Sequence, residues 1–215
     1  MTDEAKRVLR RQAHLELLEQ SYLPDIYWDE IKLTMRTDDK EAYKRLNEIK
    51  DNIIEISEPN MQMKNLLICS KYTGNGKTLW AAKILQYFLF KSAQQLYYQN
   101  SPDCNGVFIS ATKFVLESKE YDSSRREIYW DMLDMIEKSR VVVFDDIGAG
   151  EYSRAEYMAL LSAIDDRVFS KKFCIFTSNF LDKDDVVVKR LGQRLADRVF
   201  DTSEKIILNG DGVRC

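Results

Sequence analysis

Five short apolar runs that alternate with helix-like segments are the feature of this 215-residue sequence that most limits its fold. The runs are LLICS at 66–70, GVFIS at 106–110, VVVFDD at 141–146, FCIFTS at 173–178 and KIILN at 205–209. Strands that are buried on both faces read as continuous apolar runs, and strands that alternate with helices form parallel sheets. The sequence therefore predicts an α/β fold with a five-stranded parallel sheet between helices.

Two amphipathic segments precede the first of these runs. Apolar residues recur at helical spacing in 3–20 and in 39–56, and Pro24 ends the first segment. We predict a helical extension at 1–57 and the sheet-containing core at 58–215. We expect the helix within residues 1–21 to bind a partner through its apolar stripe, although packing onto the protein's own core would use the same stripe.

The stretch CSKYTGNGKTLW at 69–80 follows the first strand and precedes a helical segment. It matches the phosphate-loop pattern G-x-x-x-x-G-K-[ST], with Lys71 in place of the first glycine. In such a loop Gly74 and Gly76 let backbone N–H groups turn towards phosphate oxygens, Lys77 reaches the β- and γ-phosphates, and Thr78 holds Mg²⁺. If the position of Lys71 requires positive φ, the strain is about 1 kcal/mol. A glycine-rich turn with an incidental lysine is the alternative.

Asp145 and Asp146 end the third run, where a phosphate-loop enzyme carries its acids. One carboxylate would lie near Mg²⁺ and the other would orient or deprotonate the attacking water. Paired acids that merely end a buried strand are the alternative. Asn179 follows the fourth run, at the strand end where ligands of parallel sheets lie, and would bond the γ-phosphate or the water; otherwise it forms a turn.

Arg194 and Arg198 are four residues apart, so a helix would present both on one face while Leu195 and Val199 pack inward. An arginine that reaches a phosphate from a rigid element needs such a display. The alternative is a solvated face on which both arginines share Asp197 or Asp201.

Composition and charge exclude several classes of protein. The net charge is -3, so contact with DNA must come from a local patch. The cysteines are far apart, which argues against a zinc site or a disulfide framework: Cys69, Cys104, Cys174 and Cys215. No apolar run approaches the roughly 20 residues that span a bilayer, and the N-terminus has no signal-peptide core. We therefore expect a soluble cytoplasmic protein with no membrane partner.

In this order and on these strands, GNGKT, VVVFDDIG, TSN and GQRLADR resemble the motifs of the AAA+ ATPases of the DnaC/DnaI helicase-loader group. The motifs look in particular like those of the DnaC-like replication proteins of phages that infect Gram-positive bacteria, and the resemblance covers residues 22–215. It implies an ATPase without the helical lid of other AAA+ proteins, with ATP and Mg²⁺ as cofactors. The nucleotide-binding residues that it implies are Gly74, Asn75, Gly76, Lys77, Thr78, Leu79, Arg194 and Arg214.

The resemblance also implies individual roles. Asp145 would hold Mg²⁺ with Thr78, and the catalytic residues would be Asp146, Asn179 and Arg198. Arg198 would reach the nucleotide of an adjacent subunit, so turnover would be slow and dependent on assembly. The implied partners are a replicative DnaB-type helicase, single-stranded DNA, and further copies of the chain in an ATP-dependent open or spiral oligomer in the host cytoplasm.

The family's contacts with single-stranded DNA lie after the second strand and after the paired acids. The corresponding residues here are Lys119, Tyr121, Ser153 and Arg154, which combine positive charge with an aromatic ring and a hydroxyl group. Solvated polar surface is the alternative.

Three other functions remain open. A phosphate-loop kinase for a small molecule is disfavoured by the paired acids, TSN and the paired arginines. A non-hydrolysing ATP-binding adaptor would explain Lys71, and also Asp146 at a position where glutamate is commoner. An IstB-like transposition accessory ATPase shares the fold and would differ only in its partner.

Overall fold

The computed structural model describes residues 2–33, 36–58, 64–99, 106–119 and 123–210, and these form one five-stranded sheet with helices around it. The strands follow the order β2-β3-β4-β1-β5, and every neighbouring pair is parallel. Their bounds are β1 Asn65–Cys69, β2 Gly106–Ser110, β3 Val141–Asp145, β4 Cys174–Ser178 and β5 Ser203–Ile207. The predicted α/β fold with five parallel strands is confirmed.

Helices α1 to α9 cover the sheet within the described ranges. Their bounds are α1 Asp3–Gln20, α2 Lys40–Asp51, α3 Ile53–Ile56, α4 Lys77–Gln99, α5 Ala111–Glu117, α6 Ser123–Lys138, α7 Arg154–Phe169, α8 Asp185–Leu191 and α9 Gln193–Ala196. A π-helical turn at Asp197–Asp201 follows α9. None of the helices in these ranges is long and apolar enough to cross a bilayer, and no helix follows β5 up to residue 210.

Apolar residues recur at helical spacing through 39–56 and also through 183–200, which predicts one continuous helix in each segment, but the structure divides both. Between α2 and α3, the side-chain amide of Asn52 donates to the Glu48 carbonyl at 2.8 Å. Between α8 and α9, Gly192 has a φ of +73°, and a Cβ there would lie 2.7 Å from the Tyr157 ring. The apolar spacing continues across both breaks, so periodicity does not reveal them. Helix α5, which Ser110 caps, was not predicted at all.

The helices form one layer on each face of the sheet. Alternate residues of β1 point to opposite faces, as in any strand. Leu66 and Ile68 pack in one hydrophobic cluster with α1 to α4, while Leu67 and Cys69 pack in a second cluster with α5 to α9. Because the carboxyl ends of parallel strands lie at one edge, the loops after β1, β3 and β4 meet there.

The N-terminal helices share the first of these clusters with the sheet. Leu18 of α1 is buried in it, and the Tyr43 ring of α2 packs edge-on against Trp80 of α4 at 5.0 Å between ring centroids. The buried Asp39 carboxylate accepts the Asn209 N–H at 2.6 Å. Packing therefore joins the two sides of the predicted boundary at residue 57. That boundary, and the partner role of α1, remain predictions.

Candidate nucleotide-binding site

The loop between β1 and α4 has the backbone that a phosphate-binding loop requires. Gly74 and Gly76 have φ values of +74° and +94°, a region in which glycine is unstrained. α4 begins at Lys77, so the positive end of its dipole lies at the loop. Lys71 is exposed and is not among the positive-φ residues of the described part of the chain. Lysine in place of the first glycine therefore causes no backbone strain.

The buried side chain of Asn75 anchors this loop to the sheet. Its amide group donates to the Ser70 hydroxyl and to the Leu208 carbonyl, 3.1 Å away in the latter case. The Leu208 N–H in turn donates to the Cys69 carbonyl at 2.9 Å. Since both amide hydrogens of Asn75 are engaged within the protein, only its backbone N–H is offered to a nucleotide.

Lys77 lies largely buried beside the loop. Its ammonium group donates to the Tyr72 carbonyl at 2.9 Å and to Asn75 Oδ1 at 3.4 Å. Burial lowers the pKa of this amine, and the carboxylates of Asp146 and Asp145 act in the opposite direction. Both acceptors are neutral, and a phosphate oxygen would be a stronger, charged acceptor. The geometry fits a phosphate group; the contact itself stays a prediction.

Two hydroxyl groups from different elements hold Asp145 at the end of β3. Thr78 of α4 donates to Asp145 Oδ1 at 2.9 Å, and Thr177 of β4 donates to the same oxygen at 2.7 Å. Burial raises the pKa of Asp145, whereas these two bonds lower it. Thr177 belongs to the TSN motif, in which the sequence indicated a role only for Asn179, although a hydroxyl group at a strand end was an available signal.

Asp146 and Asn179 meet directly beside this group. Asp146 has a φ of +58°, which is uncommon for a residue with a side chain and persists only where the surroundings hold it. Its N–H donates to Thr177 Oγ1 at 2.8 Å, and its Oδ1 accepts the Asn179 amide at 3.2 Å. The buried Oδ1 of Asn179 has no hydrogen-bond partner among the residues that the structure describes. An unpaired buried acceptor is unfavourable by about 1–3 kcal/mol, so a water or ligand donor beside Asp146 fits here.

The two predicted cofactors fit these residues. Mg²⁺ takes few protein oxygens and completes its shell with water and phosphate. Thr78 and Asp145 supply a hydroxyl group and a carboxylate in contact, and within the described ranges no group of three or more His, Cys, Asp or Glu side chains could hold a metal alone. Thr78 and Asp145 would therefore hold Mg²⁺ together with ATP, whose phosphates the loop and Lys77 would bind.

A segment before α2 also borders the loop, and the sequence motifs did not indicate this. Gln86 of α4 donates to the carbonyls of residues 27–29 at 3.0, 2.8 and 2.7 Å. A Cβ on Gly76 would lie 3.8 Å from the Leu33 side chain. Burial raises the pKa of Tyr27, and the nearby negative charge of Asp145 raises it further. The stretch YLPDIYW at 22–28 was the available signal.

Arg194 and Arg198 lie on α9 and on the π-helical turn, and both pair with Asp165 of α7. Arg194 is 3.1 Å from this carboxylate, and Arg198 donates to its other oxygen. The two arginine side chains are 66% and 40% exposed. Leu195 and Val199 are buried, as the spacing predicts. Within the described residues, no hydrogen bond or ion pair of either arginine goes to the loop of its own chain.

The prediction that these arginines share Asp197 or Asp201 is wrong. Asp197 and Asp201 instead accept from Lys183, at 2.8 and 2.5 Å. The actual partner, Asp165, precedes Arg194 by 29 residues and Arg198 by 33, so local spacing does not identify it.

Residues predicted to contact DNA gather at the N-terminal end of α7. Ser153 caps the helix and forms a reciprocal pair of bonds with Glu156. Lys119 forms an ion pair with Glu156 at 2.7 Å, and this bond is the main cause that lowers the pKa of Glu156. Arg154 is exposed beside them. Tyr121 lies outside the described residues, as does Arg214, the predicted nucleotide contact near the C-terminus.

Comparison with known proteins agrees at the level of the fold. The sequence matches no protein-family model and no curated protein. In structure the chain is similar to the DnaC helicase loader, with a TM-score of 0.61 and 19% identity over 86% of this chain and 99% of the other. It is similar to DnaI, with a TM-score of 0.60 and 21% identity over 90% and 95%. It is also similar to the replication initiator DnaA bound to AMPPCP and single-stranded DNA. For that structure the TM-score is 0.61 and the identity 14%, over 89% of this chain and 52% of the other. The fold is that of AAA+ P-loop ATPases.

Proposed function

We propose that this chain is an ATP-dependent loader that places a replicative DnaB-type helicase on single-stranded DNA. The observation that carries the proposal is that Thr78 bonds Asp145 and Asn179 bonds Asp146, while the charges of both acids act on Lys77. This site lies on a fold that matches the DnaC helicase loader along 99% of that protein. A phage origin, and with it the cytoplasm of the host cell, belongs to the same proposal.

The chemistry that we propose is hydrolysis of ATP. The loop N–H groups from Gly74 to Leu79 and the Lys77 ammonium group bind the phosphates. Thr78 and Asp145 would hold Mg²⁺, which would neutralise charge on the phosphate oxygens. Asp146 accepts a proton from the attacking water, and the unpaired Oδ1 of Asn179 accepts that water's other proton and orients it.

Self-association completes the proposed site. Arg198 stabilises charge on the nucleotide of an adjacent copy, and Arg194 supports the same contact. In the single chain both arginines pair with Asp165, but an ion pair whose arginines reach solvent is worth only about 0.2–1 kcal/mol. The pair therefore gives way easily to a phosphate of a neighbouring subunit, which is a stronger bidentate acceptor. We infer an open or spiral oligomer that forms with ATP.

The proposed contacts with partners use two surfaces. Single-stranded DNA contacts Lys119, Ser153 and Arg154 at the start of α7, together with Tyr121. The helicase contacts α1, on which Val8 and Leu9 remain exposed although the later part of the helix is packed against the core.

The test of the proposal is a helicase-loading reaction. Single-stranded circular DNA that carries an annealed oligonucleotide is coated with single-strand-binding protein and given the replicative helicase of the host, ATP and this protein. We expect unwinding only when this protein is present. Asp146→Asn should bind ATP, lose about 10²–10⁴-fold in hydrolysis and fail to support repeated loading.

The alternatives are separate outcomes of that reaction. Unwinding that is equally fast with Asp146→Asn would identify a non-hydrolysing adaptor. ATP hydrolysis without any effect on the helicase would refute the loader role and favour the IstB-like accessory ATPase. Phosphate transfer to a small molecule would identify a kinase.

A further inference from the structure

Hydrogen bonds from two neighbouring segments hold the backbone of the turn after Asp146. The Ile147 N–H donates to the Thr177 carbonyl at 2.9 Å, and the Ile147 carbonyl accepts the Ser178 hydroxyl at 3.0 Å. Next, the Gly148 N–H donates to the Tyr152 hydroxyl at 3.2 Å. The first two bonds come from β4, whereas the third comes from the segment that leads into α7.

Gly148 has a left-handed backbone and leaves no room for a side chain in this turn. Its φ is +86°, and a Cβ would lie 2.8 Å from the Phe180 ring. The Arg190 guanidinium lies over the same ring, 5.4 Å from its centroid, and donates to the Gly148 carbonyl at 3.5 Å. Because Gly148 is only two residues from Asp146, any displacement of Gly148 acts on the left-handed backbone of Asp146.

Tyr152 is the residue that connects this turn to the surface of α7. It immediately precedes Ser153, the N-cap whose bonds with Glu156 are reinforced by the ion pair between Glu156 and Lys119. The Tyr152 hydroxyl accepts from Gly148, while its own proton has no hydrogen-bond acceptor among the described residues. The hydroxyl is thus tied on one side to the hydrolytic turn and can donate on the other side to a bound ligand.

We propose that Tyr152 is a positioning residue that couples nucleic acid bound at the α7 N-terminus to the placement of Asp146. This rests on the proposed function, because it takes the α7 N-terminus as the site of single-stranded DNA. A DNA phosphate that engages Lys119 competes with its ion pair to Glu156 and shifts the start of α7, where the exposed Arg154 can bind the same strand. Tyr152 passes that shift to Gly148 through its hydroxyl group and so changes the rate of hydrolysis.

The experiment measures kcat and KM for ATP with and without a poly-dT oligonucleotide, in the wild type and in Tyr152→Phe. The variant keeps the ring and removes only the hydroxyl group. Tyr157→Phe is the matched control, since Tyr157 lies in the first turn of α7, close to Tyr152 in the chain, but packs against Gly192 rather than Gly148. We expect the oligonucleotide to change the wild-type kcat by about three- to tenfold, the range that one hydrogen bond supplies, with KM unchanged. Tyr157→Phe should respond like the wild type, and Tyr152→Phe should not respond.

A response of Tyr152→Phe equal to that of the wild type would overturn the coupling, and so would loss of the response in Tyr157→Phe. Wild-type hydrolysis that ignores the oligonucleotide would overturn the coupling and leave the ATPase standing. Absence of hydrolysis in all three proteins would overturn the proposed function as well. A fold defect is separated from these outcomes by the thermal shift that Mg-ATP induces, which Tyr152→Phe should retain.

Discussion

Replacing Thr177 by valine should show how far the site depends on a single hydroxyl group. Thr177 is buried, donates to Asp145 Oδ1 at 2.7 Å and accepts the Asp146 N–H at 2.8 Å. Valine has a similar shape and can do neither. A hydrogen bond to a charged group is worth about 1.5–3 kcal/mol, and a buried N–H left unpaired is unfavourable by about 1–3 kcal/mol. Because both effects arise from one hydroxyl group, we expect a total of about 3 kcal/mol.

This loss is large compared with the stability of a typical domain, about 5–15 kcal/mol. For a chain of this length it corresponds to a fall in Tm of about 6–12 °C. Urea unfolding and a thermal scan of the nucleotide-free protein measure both quantities. Hydrolysis should fall as well, because the Asp146 backbone loses one of its supports.

Thr177→Ser is the control, since it keeps the hydroxyl group and removes one methyl group. It should lose about 1 kcal/mol, the value of one buried methyl group, and retain most of the hydrolysis. A valine variant within about 0.5 kcal/mol of the wild type, the ordinary scatter of neutral substitutions, would refute the reasoning. So would a serine variant that is as unstable as the valine variant.

Four further predictions concern the charged residues. Saturating Mg-ATP at a hundredfold excess over Kd should stabilise the wild type by about 2.7 kcal/mol but not Lys77→Ala, and equal thermal shifts would exclude Lys77 as a phosphate ligand. Arg198→Ala and Lys77→Ala should each be inactive alone and should regain hydrolysis when mixed, because a mixed interface pairs one intact loop with one intact arginine. If mixing restores no activity and the turnover per chain does not depend on protein concentration, a second subunit does not contribute to the site. The folded-state pKa of Asp145 is raised, so its favourable contribution is present below its usual pKa of about 4 and is lost as pH rises through the raised value. Without nucleotide, Asp145→Asn should therefore resist urea better than the wild type at pH 7, with a difference that shrinks at acid pH; the opposite order would contradict the burial argument. Replacing Lys119 and Arg154 together should flatten the log–log salt dependence of single-strand binding by about 0.7 per lost phosphate contact, and an unchanged slope would locate the DNA elsewhere.

Local pattern in the sequence was sufficient for the five strands and for the loop between β1 and α4. The runs VVVFDD and FCIFTS read as strands because burial on both faces leaves no polar alternation. Lys77 and Thr78 were identified by their spacing from Gly76, since the loop, the lysine and the hydroxyl group are contiguous in the chain. These inferences need only neighbours within a few residues, and the sequence contains them.

The contacts that complete the site join residues far apart in the chain. Thr78 meets Asp145 across 67 positions and Asn179 meets Asp146 across 33, because β1 and β3 both flank β4 in the sheet. Arg198 finds its acid on α7 rather than on its own helix. Strand order and helix packing depend on interactions throughout the core, so they cannot be inferred from any single segment of the sequence. The sequence by itself therefore determined which residues have the chemistry, and only the tertiary structure decided which of them act on one another.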